Sequence, residues 1–109
     1  MIKVEIIKEV DNIKQVTVDG HADFAEHGSD IVCAGVSAVV FGLINSVDVL
    51  DDNVQFDISA NEDETGHLTY RSLKSTEKEQ LLLNAMLIVL QTIEENYSEY
   101  ITIEIREVN

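Results

Sequence analysis

The 109-residue sequence has no proline, no tryptophan and only one cysteine. It contains no low-complexity tract or linker, so residues 1–109 are predicted to form a single domain, which is long enough to bury a stable core. One cysteine cannot form an internal disulfide. The lack of a second cysteine therefore favours a reducing, intracellular environment and a free thiol.

Basic residues are also scarce. Seven Lys and Arg stand against 21 Asp and Glu, which gives a formal net charge of −14 at pH 7. Nucleic acids are bound largely through Lys and Arg that neutralise phosphates, so this balance disfavours a nucleic-acid partner. The same charge would attract a basic protein or peptide, although acidity can also serve only to keep a protein soluble.

The sequence shows no pattern typical of a signal peptide. Its amino terminus alternates apolar and polar residues instead of placing a basic region before an apolar block. The longest apolar stretch, residues 31–50, contains Asn45, Ser46 and Asp48 and many small residues, which favours a buried helix over a membrane span. We therefore expect a cytoplasmic protein with no membrane partner.

Two kinds of hydrophobic period alternate along the chain. Period-two alternation predicts five strands, at residues 2–7, 13–18, 54–59, 67–72 and 100–108. A helix is predicted from a cap at Asp30, or at Ser29, to about Val49, and another after a capping-box pattern at residues 76–79. Each strand has one apolar face. The order β-β-α-β-β-α-β therefore predicts an α+β fold in two layers, with a mainly antiparallel five-stranded sheet and two helices on one face.

The two predicted helices differ in their apolar surfaces. The second has a core face that we assign to Leu82, Met86, Val89, Ile93 and Tyr97. The first is apolar almost all round, which predicts burial on more than one side. It also contains Gly35, which costs about 1 kcal/mol relative to alanine inside a helix. Close packing by the sheet, a second subunit or a substrate would explain that glycine.

The chemically distinctive part of the chain is residues 20–38. His21 follows a strand, a polar segment follows it, and Cys33 lies near the start of the first helix. A helix start stabilises a thiolate and an imidazole can accept the thiol proton, so this arrangement favours a reactive cysteine. His21 is a better candidate base than His27, because a strand end is a more fixed position than the middle of a loop.

Each of these residues also has a plainer interpretation. Cys33 is explained equally well as a small core residue, and a histidine at a strand end as a surface residue. Asp30 is explained by capping, Ser37 by packing or a bond to a carbonyl, and His67 by exposure to solvent. His21, His27, Asp30 and Cys33 are potential metal ligands, but their spacing is unlike that of zinc sites, so we expect no metal and no cofactor.

If the pair acts on a peptide bond, standard cysteine chemistry assigns the roles. His21 accepts the thiol proton, Cys33 attacks the carbonyl carbon, and His21 then protonates the leaving amine. Backbone N–H groups at Cys33 and Ala34 are candidate donors to the oxyanion, and the segment from residue 22 to residue 29 is a candidate lid.

These residues resemble a known signature. Gly20-His21, the Gly28-Ser-Asp30 sequence and the run Ile-Val-Cys-Ala-Gly-Val-Ser at residues 31–37 are similar to those of the bacterial ribosomal-processing cysteine protease family, Prp. The order of strands and helices is also similar to that family's fold over the full chain.

The resemblance implies a function and a set of site residues. It implies that His21 and Cys33 form a catalytic dyad, supported by Gly20, Asp30 and Ser37. The implied reaction removes the amino-terminal extension of the twenty-seventh large-subunit ribosomal protein, after a hydrophobic, aromatic-ended sequence and before a small residue. It also implies a homodimer and a loop that shifts on substrate binding. A noncatalytic acidic dimer that binds a basic ribosomal protein, and a redox-responsive thiol protein, are the alternatives.

Overall fold

The computed structural model describes residues 1–20, 29–61 and 66–108. The elements, in chain order, are β1 (Ile2–Glu9), β2 (Asn12–Asp19), α1 (Ser29–Leu50), β3 (Gln55–Asn61), β4 (His67–Lys74), α2 (Glu77–Asn96) and β5 (Ile101–Val108). All five strands and both helices lie where the sequence predicts them, and their bounds differ from the predicted ones by only a few residues. The predicted β-β-α-β-β-α-β order is confirmed.

The five strands form one sheet in the order β3-β4-β2-β1-β5. All neighbouring pairs are antiparallel except β1 and β5, which run parallel with Ile2 opposite Ile101. The mainly antiparallel sheet is therefore confirmed. Because β2 pairs with β4 as well as β1, the end of β2 lies in the interior of the sheet, beside the start of β4.

One face of the sheet forms the core with both helices. Alternate residues of the strands point to this face, as the sequence predicts, and the residues between them, which are mostly polar, point to the other face. The largest fully buried side chains from the strands are Ile2, Ile6, Ile13, Tyr70 and Ile101. They form one hydrophobic cluster with residues of α1 and α2, so the predicted two-layer architecture is confirmed.

Helix α1 packs on the sheet along one stripe. Its buried residues recur every three or four positions: Val32, Val36, Val40, Ile44 and Val47. By length and composition the segment Ile31–Leu50 could also cross a membrane, and 28% of its most apolar window is buried. The buried stripe makes α1 a core helix, and much of its apolar surface still faces outward.

Helix α2 confirms the predicted cap but only part of the predicted core face, since Met86 is buried and Ile93 packs against the core. Thr76 is the N-cap, and its hydroxyl accepts a hydrogen bond from the Glu79 N–H at 3.1 Å. The buried apolar residues are Leu83, Met86, Leu87 and Leu90. The assignment of Leu82, Val89 and Tyr97 to the core face was wrong, because apolar residues at 81–83 and 86–90 fit several helical stripes equally well.

The first hairpin contains a backbone conformation that its sequence does not favour. Val10, at the turn between β1 and β2, has a φ of +56° and is 79% exposed. A β-branched residue is strained in this left-handed region, whereas glycine is not. We expect Val10→Gly to raise the free energy of unfolding by about 1 kcal/mol, measured by urea denaturation. Asp11→Gly is the matched control and should not stabilise, and a gain there equal to that at Val10 would contradict the explanation.

Candidate active site

The end of β2 is held in a defined position at Gly20. This residue has a φ of +90°, and its N–H donates to the Gly66 carbonyl at 3.0 Å. A Cβ placed on Gly20 would lie 2.5 Å from the carbonyl oxygen of Met1. Only glycine fits here, because both the backbone angle and the neighbouring chain exclude a side chain. The sequence therefore needs glycine immediately before His21.

We expect Gly20→Ala to damage both stability and activity. The strained φ and the contact with Met1 should lower the free energy of unfolding by about 2 kcal/mol. Because the chain would leave β2 in a different direction, peptide cleavage should fall as well. Urea denaturation and a cleavage assay at a temperature where the variant is folded would measure the two effects. A variant as stable and as active as the wild type would show that the close approach is not needed.

Helix α1 positions the cysteine. Cys33 is a free thiol, partly buried, and packs against the edge of the hydrophobic core. It is the fifth residue of the helix, because α1 begins at Ser29 and Asp30 is therefore inside the first turn instead of preceding the helix. The thiol is thus neither fully enclosed nor fully exposed, as a nucleophile that must meet a substrate requires.

The residues around Cys33 on α1 form an open surface. Ala34 and Ser37 are exposed, and Ser37 lies one turn after Cys33. Within the described residues, no atom lies within 4 Å of a Cβ placed on Gly35, apart from its own helix backbone and chain neighbours. Packing by the sheet therefore does not explain Gly35. Contact with a second subunit or a substrate stays a prediction.

The start of α1 also determines which backbone N–H groups are free to donate to an oxyanion. In an α-helix each N–H bonds to the carbonyl four residues earlier, so the N–H of Cys33 lies opposite the carbonyl of Ser29. The N–H groups of Cys33 and Ala34 become free donors only if the first turn opens. The N–H groups of the first turn itself have no such partner within the helix.

Part of the predicted site lies outside the described residues. His21, His27 and the proposed lid segment up to Gly28 fall there, and the Asp30 side chain is likewise not described. The distance between His21 and Cys33 therefore remains a prediction. Among the side chains that the structure does describe, no group of three or more His, Cys, Asp or Glu could hold a metal ion.

One polar group beside the end of β2 was missed from the sequence. His67 is partly exposed, in line with the prediction that it is solvated, but its Nδ1 also contacts the Asp19 carboxylate and its Nε2 lies 3.0 Å from the Thr69 hydroxyl. Asp19 is the residue before Gly20, so this group adjoins the predicted site. The signal was the cross-strand register, which brings together residues 48 positions apart and cannot be read from local patterns.

Comparison with known proteins identifies the family. The family model described as cysteine protease Prp matches residues 1–102. The ribosomal processing cysteine protease Prp of Staphylococcus aureus is 46% identical over 103 residues, covering 93% of this chain and 95% of that protein.

Solved structures agree with this match. The crystal structure of the essential ribosomal processing protease Prp from Staphylococcus aureus with a substrate peptide has a TM-score of 0.88 and 42% identity, covering 97% of this chain and 100% of the other. The same protease with a covalently linked product peptide gives 0.87 and 41%, with the same coverage. This chain therefore belongs to the cysteine protease Prp family.

Proposed function

We propose that this protein is an endopeptidase that removes the amino-terminal extension of the twenty-seventh large-subunit ribosomal protein. The cut would fall after a hydrophobic, aromatic-ended sequence and before a small residue. The observation that carries the proposal is the single cysteine. A cysteine protease needs a thiol nucleophile, and Cys33 supplies the only one, partly exposed near the start of α1.

The proposed mechanism uses Cys33 and His21 as a dyad. His21 takes the proton from the Cys33 thiol, and the sulfur attacks the scissile carbonyl carbon. The tetrahedral intermediate collapses to a thioester as His21 protonates the leaving amine. Water, deprotonated by His21, then attacks the thioester and releases the carboxylate product and the free thiol.

The supporting residues have proposed roles around this dyad. Gly20 sets the direction in which the chain leaves β2 towards His21, because the Met1 carbonyl leaves no room for a Cβ at this position. N–H groups near the start of α1 donate to the oxyanion, and those of Cys33 and Ala34 join them if the first turn opens. Asp30 and Ser37 lie within one turn of Cys33, where they would shape the substrate site.

The charge of the chain supports a basic substrate. A net charge of −14 gives long-range attraction for a ribosomal protein, which is typically basic, and raises the rate of encounter. The same charge is unsuited to direct binding of nucleic acid. A cytoplasmic location follows, because that is where bacterial ribosomes are assembled.

We also propose that the protein is a homodimer that uses the outer side of α1. Phe41 is 52% exposed and Val49 is 74% exposed, and Ala34 and Ala38 on the same side are exposed small residues. An exposed apolar patch of this kind is typical of an interface, and small residues let a second helix approach closely.

Phe41→Asp is expected to convert the dimer to a monomer, because it places a charge in the apolar patch. Light scattering coupled to gel filtration would measure the mass in solution. Val10→Asp is the matched control, since it also places a charge at an exposed apolar position, but at the tip of the first hairpin. A wild-type protein with the mass of one chain would contradict the homodimer.

The direct test of the proposed function is incubation with the extended ribosomal protein, followed by mass spectrometry of the products. We expect one cut that separates the extension from the mature protein. Tight binding without any cut would instead support a noncatalytic binding protein. Slow reaction of Cys33 with an alkylating probe at neutral pH would argue against a redox-responsive thiol.

The same assay tests the choice of base. His21→Ala should reduce cleavage nearly as much as loss of the thiol, because no other group would then take the thiol proton. Turnover that is intact in His21→Ala but lost in His27→Ala would assign the base to His27.

A further inference from the structure

A group of polar side chains lies at the end of β2, on the face of the sheet opposite the helices. Asp19 and His67 stand directly opposite each other in the antiparallel β2–β4 pair, so their side chains share one face. The Nδ1 of His67 contacts the Asp19 carboxylate, and its Nε2 lies 3.0 Å from the Thr69 hydroxyl. The imidazole is therefore held at both of its nitrogens.

The partners determine which nitrogen carries the proton. The Asp19 carboxylate can only accept a hydrogen bond, so Nδ1 of His67 carries a hydrogen and donates it. In the neutral imidazole Nε2 then accepts from the Thr69 hydroxyl. Both contacts form with the ring in one orientation, which fixes the Asp19 side chain against the start of β4.

The backbone is tied at the next position along the same two strands. Immediately after Asp19, the Gly20 N–H donates to the carbonyl of Gly66, the residue before His67. Gly20 and Gly66 have φ values of +90° and +58°, and neither has a side chain that could hold the strands together. The side-chain contact between Asp19 and His67 is thus the nearest side-chain support for this hydrogen bond, which is the last one between the described residues at this end of β2 and β4, and strand ends tend to fray.

This contact adds little to the stability of the whole fold, and its effect is local. The side chains of His67 and Asp19 are 39% and 52% exposed, and ion pairs at such positions add little to stability. The contact between His67 and Asp19 differs from other surface ion pairs in its position, because Gly20 follows Asp19 and His21 follows Gly20. Successive Cα atoms are about 3.8 Å apart, so a shift at Gly20 is passed directly to His21.

We infer that Asp19 and His67 form a clasp that positions His21 for catalysis. Neither residue is proposed to touch the substrate. Each acts through the backbone at Gly20, by keeping the end of β2 paired with β4. This inference rests on the proposed function, because it assumes that His21 is the catalytic base.

The test compares kcat and KM for cleavage of a peptide containing the processing site. We expect His67→Ala and Asp19→Ala each to lower kcat several-fold, by about 10-fold at most, because loss of a weak contact displaces the end of β2 in only part of the molecules, with KM unchanged. The double variant should lose no more than either single variant, because both break the same contact. His67→Asn should restore most of kcat, since its amide places a donor where Nδ1 stands.

The matched control is Arg106→Ala. Arg106 pairs with Glu5 at 3.5 Å on the same face of the sheet, between side chains that are 62% and 37% exposed. Its removal should leave kcat unchanged. Exchange of the Gly20 amide hydrogen, followed by NMR, should accelerate in His67→Ala and Asp19→Ala but not in Arg106→Ala, because only the first two free the end of β2.

The outcomes separate the clasp from the proposed function. A wild-type protein that cleaves, with His67→Ala and Asp19→Ala that keep its kcat, would overturn the clasp alone. An equal loss of kcat in Arg106→Ala would also overturn it, because that result indicates general destabilisation. So would a change confined to KM, because that result indicates that the residues contact the substrate. If the wild type cleaves no peptide, the proposed function fails and the clasp fails with it.

Discussion

Replacement of Cys33 by alanine or serine is expected to abolish peptide cleavage while the fold is retained. Cys33 is the only cysteine of a chain that belongs to a cysteine protease family, so no other thiol can replace it. An alanine has no nucleophile. A serine keeps the shape, but its hydroxyl ionises far less readily than a thiol and is a poor nucleophile beside the same imidazole.

The expected loss is large, because removal of a nucleophile disables every covalent step. We expect the rate of cleavage to fall by at least about a thousandfold in both variants. The substrate would be a peptide whose hydrophobic half ends in Phe-Phe, and products would be quantified by mass spectrometry. Cys33 packs only at the edge of the core, so the thermal midpoint should change little.

An independent measurement makes this result interpretable. A thiol-alkylating probe should label the wild type once and neither variant, and gel filtration should give all three proteins the same elution volume. Cleavage that persists in both variants would exclude Cys33 as the nucleophile. Cleavage lost together with the folded structure would show only that the side chain is needed for packing.

The layers of the fold follow from local patterns, but the strand order does not. Alternation at Ile2, Val4 and Ile6 predicts a strand with one buried face, and the same rule finds the other four strands. Hairpin partners are close in sequence and are therefore predictable. The pairing of β1 with β5, and of β2 with β4, joins residues far apart in the chain, and no local pattern specifies it.

The two helices show where residue patterns become ambiguous. The N-cap at Thr76 was predictable because its hydroxyl bonds a backbone N–H only three residues away. The core face of α2 was not, because Leu82 and Leu83 are equally apolar and only packing in the folded core selects Leu83. Cys33 was predictable as a candidate because it is unique in the sequence. The contact between Asp19 and His67 was not, since it depends on strand register.

Glu79 is the other residue whose replacement should have a large effect, in this case on stability. Its side chain is fully buried in the first turn of α2, and its carboxylate accepts hydrogen bonds from the Tyr70 hydroxyl at 2.5 Å and the Ser72 hydroxyl at 2.9 Å. The capping-box pattern predicts instead that Glu79 returns to the backbone at Thr76. The burial of two hydroxyls beside it explains the difference, because each needs an acceptor.

We expect Glu79→Ala to lower the free energy of unfolding by about 3 kcal/mol or more, since it leaves two buried hydroxyls without an acceptor and opens a cavity. Such a loss is a large part of the roughly 5–15 kcal/mol that stabilises a domain of this kind. Glu79→Gln keeps an acceptor oxygen and should cost less. Adding Ser72→Ala to Glu79→Ala should recover part of the loss, and urea denaturation would measure all three. An undiminished stability in Glu79→Ala would show that the hydroxyls find other partners.

The same cluster predicts how stability depends on alkaline pH. Burial, and then the hydrogen bond and the charge of Glu79, raise the pKa of Tyr70 well above its usual value. The folded protein therefore keeps this tyrosine protonated at a pH where the unfolded chain loses the proton. Unfolding then releases a proton. The contribution of Tyr70 to stability should therefore be constant below pH 10 and should fall as the pH rises above about 10.

Tyr70→Phe removes the ionisable group and should flatten this part of a urea-denaturation series against pH. An unchanged slope in Tyr70→Phe would assign the alkaline loss to other groups, and would mean that burial and Glu79 do not hold the proton on Tyr70.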